Sequence, residues 1–151
     1  MIEGVRREGG RSSDRKCAVE RPAVSRRLTL SVLPGEFGVC CLDSAAEMPA
    51  WADRGGFVSV TRTPEELSIV CSAASIPTGV QVEKGWRCLR VEGPLDFDET
   101  GVLSSLAEPL ARAGISIFAV STYRTDYLLV KGKDLDKAVR VLRLEGHTVR
   151  W

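Results

Sequence analysis

Between Trp86 and Trp151 the hydrophobic period switches repeatedly between two and 3.6 residues, and the order of those switches restricts the chain to very few folds. Trp86 to Val91 alternates as a strand, and Gly93-Pro94 then turns the chain. Asp98-Glu99-Thr100-Gly101 leads into an amphipathic helix with Leu103, Leu106 and Leu110 on one face, ending at Gly114. Pro109 lacks a backbone donor and is expected to kink that helix or start a new turn in it. Ile115 to Ser121 and Tyr127 to Lys131 read as a hairpin closed by Thr122-Tyr123-Arg124-Thr125-Asp126. Asp134 is placed to cap a second helix with Leu135, Ala138, Val139 and Leu142 inward, before a last strand from His147 to Trp151. The order β-α-β-β-α-β predicts an α+β unit of the ferredoxin-like kind. Its two helices should cover one face of a four-stranded antiparallel sheet whose strands can bury only one side.

The preceding stretch is a weaker version of the same pattern. Leu28 to Val32, Gly38 to Leu42, Phe57 to Thr61 and Leu67 to Cys71 read as strands, with Pro34-Gly35 breaking the first run. Thr63-Pro64-Glu65-Glu66 has the composition of a short helical turn, with Thr63 as cap and Glu66 reaching back. Ser75 to Gly79 reads as a linker. The chain is therefore expected to divide into a basic, disordered arm at 1–27, an abbreviated first unit at 28–79 and a complete second unit at 80–151.

Charge narrows the function. Residues 1–27 hold 8 of the 21 Lys and Arg and 4 of the 20 Asp and Glu, leaving 13 basic and 16 acidic groups for the rest. A mildly acidic body with 6% aromatic residues offers neither a broad surface for phosphates nor platforms for stacked bases, so nucleic acid is not an expected partner. No apolar run approaches the roughly 18 to 20 residues that span a bilayer, and no apolar segment follows the opening charges as in a secretory signal. Five cysteines, four of them inside strand-like apolar runs, fit a reducing cytoplasm.

Two polar constellations could recognise a small zwitterion. Thr100 and Gly101 stand at a helix start, where unpaired N–H groups favour an anion and a glycine lets a ligand approach the backbone; a plain helix cap has the same composition. Asp126 closes the hairpin beside Ser121, Thr122 and Thr125 and could accept an ammonium group, although a turn aspartate bonded to local amides looks identical in sequence. Ser116 and Ser121 alternate with Ile115, Ile117 and Val120, which also suits the wet side of a strand. Catalytic readings are thinner. His147 has no serine or cysteine beside it in a nucleophile motif, and a solvated or partly packed histidine is expected. Cys40-Cys41 should point one thiol to the core and one to the surface rather than hold a metal. Asp96, Asp98 and Glu99 could bind a cation, but acidic residues before a helix more simply favour its positive end.

The runs LTLSVLPGEFGVCCLD (28–43), FVSVTRTPEELSIVC (57–71) and GWRCLRVEGPLDFDETGVLSSLAEPLARAGISIFAVSTYRTDYLLVK (85–131) resemble small bacterial ACT-domain proteins. They are also similar to the tandem ACT units of the eukaryotic cytosolic arginine sensor. The resemblance implies two ferredoxin-like ACT units, the first abbreviated, in a regulatory protein without catalytic residues or cofactor. It implies a free amino acid or similar metabolite bound where one unit meets another, between the loop opening a unit's first helix (Thr100, Gly101, Val102) and a strand of the neighbouring unit. It further implies roles for Asp126, beside Ser121 and Thr122, and for main-chain groups at Gly114, Ile115 and Ser116. A homodimer would supply the four units of the eukaryotic protein, and a regulated protein partner would read the signal. The alternative is a ligand-free interaction module.

Overall fold

The computed structural model describes residues 27–151; the expected arm, apart from Arg27, lies outside them. Among the described residues, eight strands and two α-helices follow in the order β1 (Thr29–Val32), β2 (Phe37–Leu42), β3 (Ser59–Arg62), β4 (Leu67–Ser72), β5 (Gln81–Val91), α1 (Val102–Arg112), β6 (Ile117–Ser121), β7 (Asp126–Lys131), α2 (Leu135–Leu144) and β8 (Thr148–Arg150). The architecture is α+β, with the β-α-β-β-α-β order of the ferredoxin-like unit from β5 to β8, and the described part of the first half supplies strands and a single 3-10 turn but no α-helix.

All strands join one sheet, because β5 is long enough to serve both halves. Its N-terminal part pairs with β2, from Cys41 opposite Gln81 to Phe37 opposite Trp86, and its C-terminal part pairs with β1, with Leu30 opposite Val91. On its other edge Trp86 to Arg90 pair with β7, which pairs in turn with β6. The expected self-contained antiparallel sheet of the second half is corrected here. β1 enters between β5 and β8 and runs parallel to β8, with Leu30 opposite Val149. Burial explains the exchange: Leu30 is fully buried and suits a central strand, whereas Thr148-Val149-Arg150 buries only its middle residue and suits an edge.

Packing corrects a second expectation, that only one sheet face is buried. One core lies under the helices, where Leu89, Val91, Leu128 and Val130 meet Val102, Leu106 and Leu110 of α1 and Leu135, Ala138, Val139 and Leu142 of α2. The opposite face carries Trp86, Cys88 and Leu129, with Phe118, Val120 and Tyr127 half-buried, and packs against Phe37, Phe57 and Val70 from the first half. Phe57 stacks on Tyr127 with ring centroids 4.4 Å apart. A third cluster of Cys40, Leu67, Ile69, Cys71, Ala52 and Ile76 covers the outer side of β2 and β4. The sheet therefore curls until β3–β4 and β6 line one groove of about 300 Å3. At about 1.5 to 3 kcal/mol per large apolar side chain, burial on both faces anchors the two halves to each other.

Local details differ from the sequence pattern in instructive ways. Thr63 makes the expected side-chain bonds, accepting from the Glu65 and Glu66 amides at 3.2 Å, but they close a turn between β3 and β4 rather than begin a helix. Helix α1 runs through Pro109, which is buried near its end. Asp134 occupies the capping position of α2 without a capping side-chain bond, because the chain arrives there through a 3-10 turn over Gly132–Asp134. The Gly93–Pro94 peptide is cis.

Candidate functional site

Two loops meet at one end of the second half: residues 92–101 between β5 and α1, and residues 122–125 between β6 and β7. The tight turn comes from local side-chain chemistry. The Thr122 hydroxyl donates to the Thr125 carbonyl at 2.8 Å and accepts from the Thr125 amide at 3.2 Å, while the Thr122 amide donates to the Thr125 carbonyl at 2.9 Å. Two further bonds tie the turn to the loop. The Leu95 amide donates to the Arg124 carbonyl at 2.9 Å, and the buried Thr125 hydroxyl donates to the Val91 carbonyl at 2.6 Å.

Beyond this junction the walls diverge around a cavity of about 180 Å3. Leu95, Asp96, Phe97, Glu99 and Val102 line one side, and Ser121 to Asp126 the other. Asp126 accepts a 2.6 Å hydrogen bond from the Ser121 hydroxyl on its Oδ1, which fixes the carboxylate while Oδ2 has lone pairs to offer. Asp96, Glu99, Asp126 and Arg124 all border this one small space, a lining of mixed charge suited to a ligand that carries both an ammonium and a carboxylate. Phe97 and Tyr123 stand one on each wall with ring centroids 5.0 Å apart, edge to face, and are 74% and 80% exposed.

The structure brings together Val102, Ser121, Thr122 and Asp126 of the residues singled out in the sequence. Thr100 and Gly101 adjoin the cavity in the chain without lining it. Gly101 takes the left-handed φ of 83°, and its carbonyl accepts from the Ser104 hydroxyl and the Ser105 amide. Gly114, Ile115 and Ser116 stand at the far end of α1, roughly 16 Å away at 1.5 Å per residue. There Gly114 adopts φ 72° to stop the helix, Ile115 enters the core and donates its amide to the Leu110 carbonyl, and Ser116 is exposed. The sequence reading missed Phe97, Leu95 and Gly93. An aromatic inside the acidic run Asp96-Phe97-Asp98-Glu99 was the available signal for the first.

The remaining candidates are structural. His147 is buried, and its Nδ1 accepts the Leu28 amide at 3.2 Å, so it serves the start of β1 rather than standing in solvent. Cys40 is buried and Cys41 half-buried, as the strand alternation requires. Burial pushes the Cys88 thiol up to about 12, and burial with Cys40 beside it does the same to Cys71. Among the described residues, no cluster of His, Cys, Asp or Glu could hold a metal ion, and no helix is long and apolar enough to cross a membrane.

A family model described as an ACT domain matches residues 81–143, and a second, described as an N-terminal domain, matches residues 35–79. The chain is 32% identical over 111 residues to the human protein CASTOR3P, covering 65% of this chain and 68% of that one. A crystal structure of an Agrobacterium tumefaciens protein is 48% identical with a TM-score of 0.78, covering 82% of this chain and 92% of that one. The chain belongs to the ACT-domain family. It is also 41% identical over 101 residues to the human cytosolic arginine sensor for mTORC1 subunit 1, a match that covers 60% of this chain and 28% of the sensor. The regulatory subunit of aspartate kinase from Thermus thermophilus, at 10% identity and a TM-score of 0.54 over 77% of this chain and 96% of that one, shares the fold. This ACT-domain chain spans just over a quarter of the length of the arginine sensor it matches.

Proposed function

We propose that this chain is a regulatory protein that binds a free amino acid in the cavity between the β5–α1 loop and the β6–β7 turn. The observation that carries the reading is the Asp126 carboxylate, oriented by Ser121 at 2.6 Å and facing the acidic, aromatic loop that opens α1. An ammonium group there meets a pre-oriented acceptor and loses little entropy on binding. The names of its relatives support the ligand class: one is an arginine sensor and another a regulatory subunit of an amino-acid kinase. The proposal includes two units, 28–79 and 80–151, with β1 lent by the first to the second. It places the protein in the cytoplasm as a homodimer, with a second copy closing the open side of the cavity and a partner protein reading its state. The exposed Phe97–Tyr123 pair favours a second reading, a ligand-free interaction module anchored on those rings.

A thermal-shift screen of the twenty amino acids separates the two readings. The proposal expects stabilisation that grows with concentration, about 2.7 kcal/mol at a hundred times the dissociation constant. No shift with any of them leaves the interaction module standing. Sedimentation should give twice the chain mass, and a monomer at tens of micromolar, an order-of-magnitude range for specific association, removes the dimer from the proposal.

A further inference from the structure

Two hydrogen bonds and one close backbone approach hold the two walls of the cavity together, and all fall within a few residues. Thr125 is 4% exposed, and its hydroxyl is committed to the carbonyl of Val91, the last residue of β5, at 2.6 Å. Four residues on, the Leu95 amide donates to the Arg124 carbonyl at 2.9 Å. Gly93 lies between these bonds with no room for a side chain. A Cβ there would sit 2.8 Å from the Arg124 oxygen, 3.1 Å from the Leu95 nitrogen and 3.3 Å from the Thr125 Cβ. The backbones can approach this closely only because that position is glycine. Immediately past the junction the walls open into the cavity.

We infer that Thr125 and Gly93 form a clamp that sets the width of the cavity and thereby selects the size of ligand side chain it accepts. Thr125 is then a positioning and specificity-determining residue whose hydroxyl acts through Val91 and is not offered to the ligand. The inference rests on the proposed amino-acid site and adds what limits its choice. The physical basis is the asymmetry of a buried hydrogen bond: removing the donor leaves an acceptor that must find water or move, and the wall moves with it. Thr125→Val removes the donor while nearly preserving shape, and Thr125→Ser keeps the donor. Gly93→Ala attacks the same junction sterically.

The test combines amide hydrogen exchange on the full ligand-free chain with calorimetric titration of L-arginine and the other nineteen standard amino acids. Thr125→Val is expected to speed exchange of amides within 93–101 and 122–126 by about tenfold or more while α2 and β4 keep their protection. Thr125→Ser should stay within about threefold of the parent. In the titrations, the affinity ratio between the best and second-best amino acid should fall about fivefold or more in Thr125→Val and return in Thr125→Ser, a selectivity change that loss of general stability would not give. Unchanged exchange in Thr125→Val overturns the clamp, and faster exchange with an unchanged ratio overturns its role in selection. If Thr125→Val fails to fold, Gly93→Ala is judged by the same two readouts. If the parent binds none of the twenty, the amino-acid reading and the selection role fall together, and exchange alone decides whether the clamp exists.

Discussion

Replacing Asp126 with alanine separates a binding carboxylate from a turn residue, because the two roles predict losses of different size in different assays. In the fold, Asp126 is half-buried at the start of β7 and makes a 2.6 Å bond to an exposed Ser121 hydroxyl. Water can replace both partners of that bond, so Asp126→Ala should cost about 1 kcal/mol of stability or less. Against an ammonium inside a cavity of about 180 Å3, bordered by Phe97, Tyr123 and Leu95, the same carboxylate is worth far more. Losing one partner of a desolvated charge pair costs about 2 to 4 kcal/mol, or about 30- to 700-fold in affinity. Asp126→Asn retains shape and the acceptor toward Ser121 and should fall between parent and alanine. The assay is calorimetric titration of the best-binding amino acid against all three proteins, with melting curves in parallel. Equal affinities would remove Asp126 from the site, and parallel collapse of stability and binding would reduce it to a structural turn residue.

Gly38→Ala should destabilise the chain by about 1 to 3 kcal/mol, because a Cβ would lie 2.5 Å from Ile76 Cδ1 and 2.8 Å from Val82 Cγ2 in packed surroundings; a denaturation midpoint equal to the parent's would contradict that packing. Of the four described cysteines only Cys41 should react with a thiol reagent at neutral pH in the native state, read by mass spectrometry; rapid labelling of Cys88 would refute the buried core between the two halves. The same thiols set an alkaline limit. With Cys71 and Cys88 held up to about 12 from an ordinary 9.0, the folded state keeps protons that the unfolded chain releases, so stability should fall as pH rises above about 9, and Cys88→Ala should flatten the fall.

Much of the second half was legible because its helices are short and strongly periodic. Leu135, Ala138, Val139 and Leu142 could face only one way, and they face the core. The uninterrupted apolar run Leu128-Leu129-Val130 already marked a strand buried on both faces, but the expectation of one covered face hid it until Phe37, Phe57 and Val70 supplied the second layer. The insertion of β1 beside β8 could not be read, since any apolar four-residue strand satisfies several edges equally and the long β5 decides among them. At the site, Asp126 and Ser121 carried their own signal as polar residues closing a hairpin. Thr125 and Gly93 did not. A threonine in a turn and a glycine before a proline have ordinary local explanations, and their pairing across 32 positions exists only once the fold brings the β5–α1 loop against the β6–β7 turn.

The location of the ligand is the central claim, and hydrogen exchange with and without a saturating amino acid tests it most directly. The account predicts protection concentrated in residues 92–103 and 121–127, with amides around Gly114 to Ser116 at the other end of α1 unchanged unless a second copy reaches them. Strong protection around Gly114 to Ser116 with none in the β6–β7 turn would contradict it and move the site to the opposite end of the helix.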